Sequence, residues 1–342
     1  MKLPQKNLAE IIVCPATNEN PRNSEADIIE LKDGKLLLAY TDFYHSAGHD
    51  MSPARISGKI SADLGKKWSV SFTVQENIGI ENVMEADMLR LRSGEILFFF
   101  CVKNSETDCR PHMKKSSDEC RSWSEPTAID KYCGGYVTLN NDRAVQLSTG
   151  RIILPAAITP NVYAYPQLES LCFFSDDDGR TWFRSKNLLS LPSSWQGADE
   201  PGVVELRDGT VMMWFRTTLG HIYKSFSEDG GESWSQPESM KVVSPCSPQN
   251  IKRITRTGDL LLVWNSKIGP RRTPLTVAVS KDDGETWKNC KNIEDDDKYG
   301  YAYPSLTFVK NLVLLTYFVY DENTSRIDLK LKTVPVGWLY RK

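Results

Sequence analysis

The chain has 342 residues, 40% of them apolar and 25% charged, and its 42 Lys+Arg against 44 Asp+Glu leave a net charge of -2. This balance excludes a mini-protein and a disordered chain. It also gives no overall attraction to nucleic acid or to an anionic membrane surface, so any anion site has to be local.

The N-terminal segment MKLPQKNLAEIIVCPATNENP carries one short apolar run, Ile11 to Cys14. That is too little for a signal-peptide core or a membrane-inserting span. As written the chain reads as cytoplasmic, and as periplasmic or secreted if a signal was removed. Next comes ADIIELKDGKLLLAY, two apolar runs about a D-G turn, which predicts a β-hairpin. Further copies follow along the chain as DMLRLRSGEILFFF, AVQLSTGRIILP, GVVELRDGTVMMWF and IKRITRTGDLLLVW, with a sixth, SLTFVKNLVLLTYF, that has lost its glycine.

Each of the first five hairpins is followed by Ser-x-Asp-x-Gly-x-x-Trp. The boxes are SADLGKKW (Ser61 to Trp68), SSDECRSW (Ser116 to Trp123, with Cys120 in place of glycine), SDDDGRTW (Ser175 to Trp182), SEDGGESW (Ser227 to Trp234) and SKDDGETW (Ser280 to Trp287). The aspartate can accept backbone N–H bonds in a tight turn, the glycine allows φ > 0, and the tryptophan packs between strands. The box aspartates are therefore read as structural. Each unit has two hairpin strands, a third running into the box serine, and room for a fourth after the tryptophan. Six such four-stranded units of about 40 to 55 residues predict an all-β fold, a single six-bladed β-propeller domain over 1–342 with Asp-box turns. The apolar Ile11 to Val13 segment is expected to add a strand to the unit that ends with RIDLKLKTV (Arg326 to Val334) and so close the ring.

Eight cysteines (Cys14, Cys101, Cys109, Cys120, Cys133, Cys172, Cys246 and Cys290) show no CxxC pair and no zinc-like spacing to the four histidines. They are read as free thiols, with no metal and no cofactor expected. His45 and His49 flank a loop but do not make a metal set.

Over essentially the whole chain, the boxes and hairpins resemble the sialidase (neuraminidase) superfamily. The resemblance implies an exo-glycosidase that hydrolyses terminal sialic acid or a related acidic sugar from glycoconjugates with retention. A substrate carboxylate beside a developing oxocarbenium ion would repel a carboxylate nucleophile. Such enzymes use a tyrosine activated by a carboxylate, arginines that fork onto the substrate carboxylate, and a separate acid.

Glu25, Glu85 and Glu200 stand at equivalent places, where an inner strand starts near the mouth of a propeller. The resemblance makes Glu200, in EPGVVELRDG, the base that activates the nucleophile, and Arg216, in MMWFRTT, a carboxylate binder. Arg272, in RTPLTVAVS, maps onto the next arginine, with Arg271 as the alternative register. Tyr303, in YPSL, maps onto the nucleophile, with Tyr301 as its rival. Asp50, in HSAGHDMSPAR, maps onto the loop acid/base, with Asp42 as the alternative. The family's R-I-P segment is missing and PRNSEADIIEL stands there instead, so the first arginine of the clamp falls to Arg22 or to Arg143 of NNDR. Glu25 at the site would disfavour an anion unless it pairs with an arginine or bonds a sugar hydroxyl. Two other readings remain: a non-catalytic glycan-binding propeller, and a glycosidase or lyase for a different anionic sugar.

Overall fold

Apolar alternation about each turn builds six antiparallel hairpins in the computed structural model, which describes residues 8–45, 47–130 and 134–341. In chain order they pair Arg22–Glu30 with Leu36–Phe43, Asn82–Arg90 with Ile96–Ser105, Val145–Gln146 with Ile152–Thr159, Asp199–Glu205 with Val211–Arg216, Asn250–Arg253 with Leu260–Asn265, and Tyr299–Val309 with Leu312–Asp321. A third strand adds to each, ending on the box serine in the first five units and spanning Arg326–Pro335 in the sixth. The fourth strand of the sixth unit is Ala9–Cys14, antiparallel to Arg326–Pro335 with Ala9 opposite Thr333. The chain's two ends thus share one sheet, and the one helix among the described residues is Val336–Leu339. The fold is all-β, in a layout consistent with a propeller.

The third unit departs from the pattern. Its first strand keeps only Val145–Gln146, while Gly135–Thr138 takes the upper part of the ladder and also runs parallel to Asp108–Ser116. The polar stretch Asn140, Asn141 and Asp142 leaves the sheet. Asp142 turns to φ +61° and the Asn141 side chain donates to the Ala26 carbonyl in the first unit.

Apolar side chains collect in six large clusters, each drawn from two consecutive units. Phe98 and Ala39 join the first and second units, Phe99 and Leu154 the second and third, and Ile153 and Met213 the third and fourth. Trp214 and Leu262 join the fourth and fifth, Val263 and Leu315 the fifth and sixth, and Leu314 and Leu38 the sixth and the first. Polar bonds tie the inner strands as well. Asp27 accepts from Met88 N at 2.8 Å, Asp87 from Ala144 N at 2.8 Å, Asp142 from Leu306 N at 2.6 Å, and Ser305 Oγ returns to Asp27 at 3.2 Å. Burial, and then the neighbouring Asp142 charge, push the Asp87 carboxyl up to about 7.

The boxes act at the seams. Each aspartate accepts a backbone N–H four residues on, as Asp229 does from Ser233 N at 2.8 Å, and each box serine accepts from the glycine position. Cys120 fills that position at φ +62° and keeps the bond, its N–H donating to Ser116 Oγ at 2.9 Å. Every box tryptophan packs into the cluster shared with the preceding unit. Close approach explains the glycines, since a Cβ on Gly231 would sit 2.9 Å from Ile153 of the unit before. The sixth unit has no box, and Trp338 of the C-terminal helix packs against the cluster at its seam instead. Asp229→Ala should lower stability by roughly 1–2 kcal/mol, the cost of a lost cap, which urea unfolding would measure.

The seven described cysteines are free thiols. Cys133 lies outside the described residues. No helix among them is long and apolar enough to cross a membrane.

Candidate active site

One backbone irregularity recurs at the same end of four inner strands. The ladder slips between Ser24 and Asp27, Met84 and Asp87, Asp199 and Gly202, and Ala302 and Ser305. Inside each slip one residue takes a left-handed φ: Glu25 at +42°, Glu85 at +68°, Glu200 at +46° and Tyr303 at +55°. A non-glycine residue there costs on the order of 1 kcal/mol or more, and such strain gathers at functional sites. Here it turns four side chains out of the sheet alternation and towards one another.

Tyr303 Oη donates to Glu200 Oε1 at 2.7 Å. The other Glu200 oxygen lies 2.8 Å from Arg216 Nη1, and Arg216 Nη2 reaches Asp199 at 2.7 Å. Asp199 pairs with Arg216 across the hairpin, so one ladder rung positions both the neighbouring Glu200 and the cation beside it. Gln196 Oε1 accepts from Arg216 Nη2 at 3.4 Å and lies 2.7 Å from the Cys246 thiol. Burial first, then the Glu200 charge, hold the Tyr303 phenol well above its usual range, against the pull of Arg216 and Arg272. It stands as a neutral donor. Burial also raises Glu200, outweighing Arg216 and Arg272, which makes it a stronger base than an exposed carboxylate.

On the other side, Arg22 bridges two acids. Its Nη2 donates to Glu25 at 2.6 Å and its Nη1 to Asp50 at 2.6 Å, while Nε bonds Ser24 Oγ at 2.9 Å. The guanidinium stacks 4.5 Å from the Phe43 ring centroid. Glu25 is thus neutralised where it would otherwise repel an anion. The Asp50 loop is pinned through its backbone, because Asn82 Nδ2 and Lys103 Nζ both donate to the Asp50 carbonyl at 2.8 Å. Desolvation works upward on the Asp50 carboxyl, but Arg22, then Lys103, outweigh it and leave the group below the usual carboxylate range. The side chain remains 59% exposed.

Arg272 lies over Tyr303, its guanidinium carbon 5.9 Å from the ring centroid. The structure therefore brings Asp50, Arg22, Glu25, Glu200, Arg216, Arg272 and Tyr303 around one place. Arg143 is set apart: it is 1% exposed, donates to the Gln249 carbonyl at 2.6 Å, and lies over Trp214. The alternatives also lie elsewhere. Arg271 pairs with Glu322 at 2.7 Å, Tyr301 is buried beside Tyr317 in the seam of the fifth and sixth units, and Asp42 is buried on Ser57 Oγ. The strand slip, invisible as a pattern, separates Tyr301 from Tyr303. Glu85 is buried among the acids, and burial, then Glu25 and Glu200, raise its carboxyl well above the usual range. Sequence reasoning did not identify Asp199, Gln196 and Lys103. The hairpin pairing of Asp199 with Arg216 was the available signal for the first, and none existed for the others.

A family model described as a BNR repeat-like domain matches residues 54–315, most of the chain and all five of its Asp boxes. The chain belongs to this BNR repeat-like family. It lies within the sialidase superfamily, as its relatives show. The BNR chain is 23% identical to a sialidase of Clostridium perfringens over 84% of each protein. It is 25% identical to an anhydrosialidase of Macrobdella decora over 65% of this chain but only 31% of that one. Its fold superposes on Trypanosoma rangeli sialidase in complex with 2,3-difluorosialic acid, a covalent intermediate, with a TM-score of 0.77 at 14% identity, covering 97% of this chain and 59% of that one.

Proposed function

We propose that the six units close into a single propeller, and that the site at one end of its axis is that of a retaining exo-glycosidase for terminal sialic acid or a related acidic sugar. The cyclic series of apolar clusters supports the ring. The observation that carries the activity is the 2.7 Å bond from Tyr303 to a buried Glu200, with Arg22, Arg216 and Arg272 around it. Sialidases among the relatives agree with this chemistry.

In this mechanism the substrate carboxylate forks onto the arginines. Glu200 takes the phenolic proton as Tyr303 Oη attacks the anomeric carbon, and the bond to the leaving oxygen breaks as that oxygen takes a proton from Asp50. Water, giving its proton back to Asp50, then displaces the tyrosine, whose oxygen recovers its proton from Glu200. Asp50 cannot serve as an acid while Arg22 holds it ionised. A substrate carboxylate that draws Arg22 to itself weakens that hold and lets Asp50 take up the proton it must deliver. Binding of an acidic sugar and arming of the acid are then one event.

Release of the fluorophore from a fluorogenic sialoside tests the reading. A glycan-binding propeller would bind the free sugar without turnover. Arg272→Lys should lower kcat/KM on the sialoside by roughly ten- to a hundredfold, because an ammonium lacks the fork that matches a carboxylate. A carboxamide analogue should lose a similar amount with the wild type and little more with the variant. Equal acid-over-amide discrimination in both proteins would show that Arg272 does not read the carboxylate.

A further inference from the structure

The slip that turns Tyr303 towards Glu200 interrupts the ladder of its own hairpin. Ala302 stands opposite Phe318 and Ser305 opposite Thr316, so Tyr303 and Pro304 lie outside the regular pairing. Proline brings no N–H there, but two main-chain carbonyls remain, and buried carbonyls need donors. The donors come from other units. Asn250 Nδ2, on the inner strand of the fifth unit, donates to the Pro304 carbonyl at 3.0 Å. Asn141 Nδ2, from the third unit, donates to the Tyr303 carbonyl at 3.4 Å.

Both carboxamides are fixed at a second point. Asn141 Nδ2 also donates to the Ala26 carbonyl at 2.8 Å, inside the equivalent slip of the first unit, so one side chain ties the turn of Glu25 to that of Tyr303. Asn250 Nδ2 also donates to Asp142 Oδ2 at 2.8 Å, and the same oxygen accepts from Leu306 N at 2.6 Å, just past the slip. A carboxamide has two N–H donors, and each of these uses both. Asn141 and Asn250 are 0% exposed. The departure of the third unit from the repeat thus has a use: by leaving the sheet, Asn141 and Asp142 reach strands of the first and sixth units.

We propose that Asn141 and Asn250 are positioning residues for the nucleophile, whose carboxamides hold the left-handed turn at Tyr303 that keeps its oxygen on Glu200. Fully buried, they act through Tyr303 and not on the sugar. This inference rests on the proposed function. It extends that reading from the groups that react to those that aim them, since a misplacement of about 1 Å can slow a reaction by about a hundredfold.

The test follows labelling of Tyr303 by saturating 2,3-difluorosialic acid in the full-length protein. Asn250→Ala and Asn141→Ala should each lower the first-order labelling constant by roughly ten- to a hundredfold. That constant does not depend on how much of the protein is folded, so a loss of stability alone leaves it in place. Affinity for free sialic acid, measured by calorimetric titration, should change by less than about twofold, because the arginines are untouched. Asn141→Ser, a milder change that keeps one donor, decides where an alanine variant does not fold, and should label at least about threefold more slowly than the wild type. A labelling constant within twofold of the wild type in any folded variant, or labelling and affinity falling together, would overturn the inference and leave the proposed function intact. A wild type that is not labelled at Tyr303 overturns both.

Discussion

Tyr303→Phe should reduce kcat on a fluorogenic sialoside by on the order of 10³-fold or more, up to the roughly 10⁶-fold seen when a catalytic nucleophile is removed. One oxygen is deleted and nothing else is disturbed. The ring keeps its volume and its contact with Phe318, whose centroid lies 5.4 Å away, so the variant should melt within about a degree or two of the wild type. Glu200 loses its phenolic donor but keeps Arg216 at 2.8 Å, which spares it a fully unpaired buried charge. Two measurements separate nucleophile from bystander. Incubation with 2,3-difluorosialic acid should add one sugar mass to the wild-type peptide that contains Tyr303, and none to the variant. Glu200→Gln should slow formation of that adduct, because the amide cannot accept the phenolic proton. A Tyr303→Phe protein that keeps more than a tenth of the wild-type kcat would remove the nucleophile assignment.

The periodic parts of this protein were legible from its sequence, and the non-periodic parts were not. Ser61, Asp63 and Gly65 recur with their box because one turn needs all three at fixed spacing, so the hairpins and boxes could be read directly. Glu200 could be placed because the repeat puts it in register with Glu25, and Tyr303 because YPSL resembles a family segment. What brings them together is a bulge with a left-handed residue, and no residue type announced it: glutamate and tyrosine have no preference for φ near +50°. Contacts between distant segments were equally silent. Lys103 holds the Asp50 loop from the second unit, and Trp338 fills a seam that has no box. Arg22 and Arg143 were both candidates for the first arginine because the R-I-P segment is missing and nothing in the sequence ranks the two. Only their surroundings divide them, with Arg22 on Glu25 and Asp50 at the rim and Arg143 sealed on Gln249 beneath.

Arg22→Met should damage stability and activity together, and the two effects should come apart in a double variant. The Glu25 side chain is 0% exposed and bonds Arg22 at 2.6 Å, so removing the arginine strands a buried carboxylate and should cost roughly 3–5 kcal/mol. Asp50 contributes less to that loss because water reaches it. Its carboxyl is depressed in the folded protein by Arg22, so the stability it supplies is fully present above the ordinary carboxylate value, near 4, and is lost as pH falls through the depressed value. The gap in unfolding free energy between wild type and Arg22→Met should therefore be widest near neutrality and narrow below about pH 4, as followed by urea titration at a series of pH values. Arg22→Met with Glu25→Gln removes the stranded charge along with its partner, and should recover a large part of the lost stability. It should recover none of the kcat/KM, because the substrate carboxylate still lacks its first arginine and nothing links its arrival to the protonation of Asp50. If the double variant regains activity in proportion to its stability, Arg22 is a structural partner of Glu25 alone, and the clamp rests on Arg216 and Arg272.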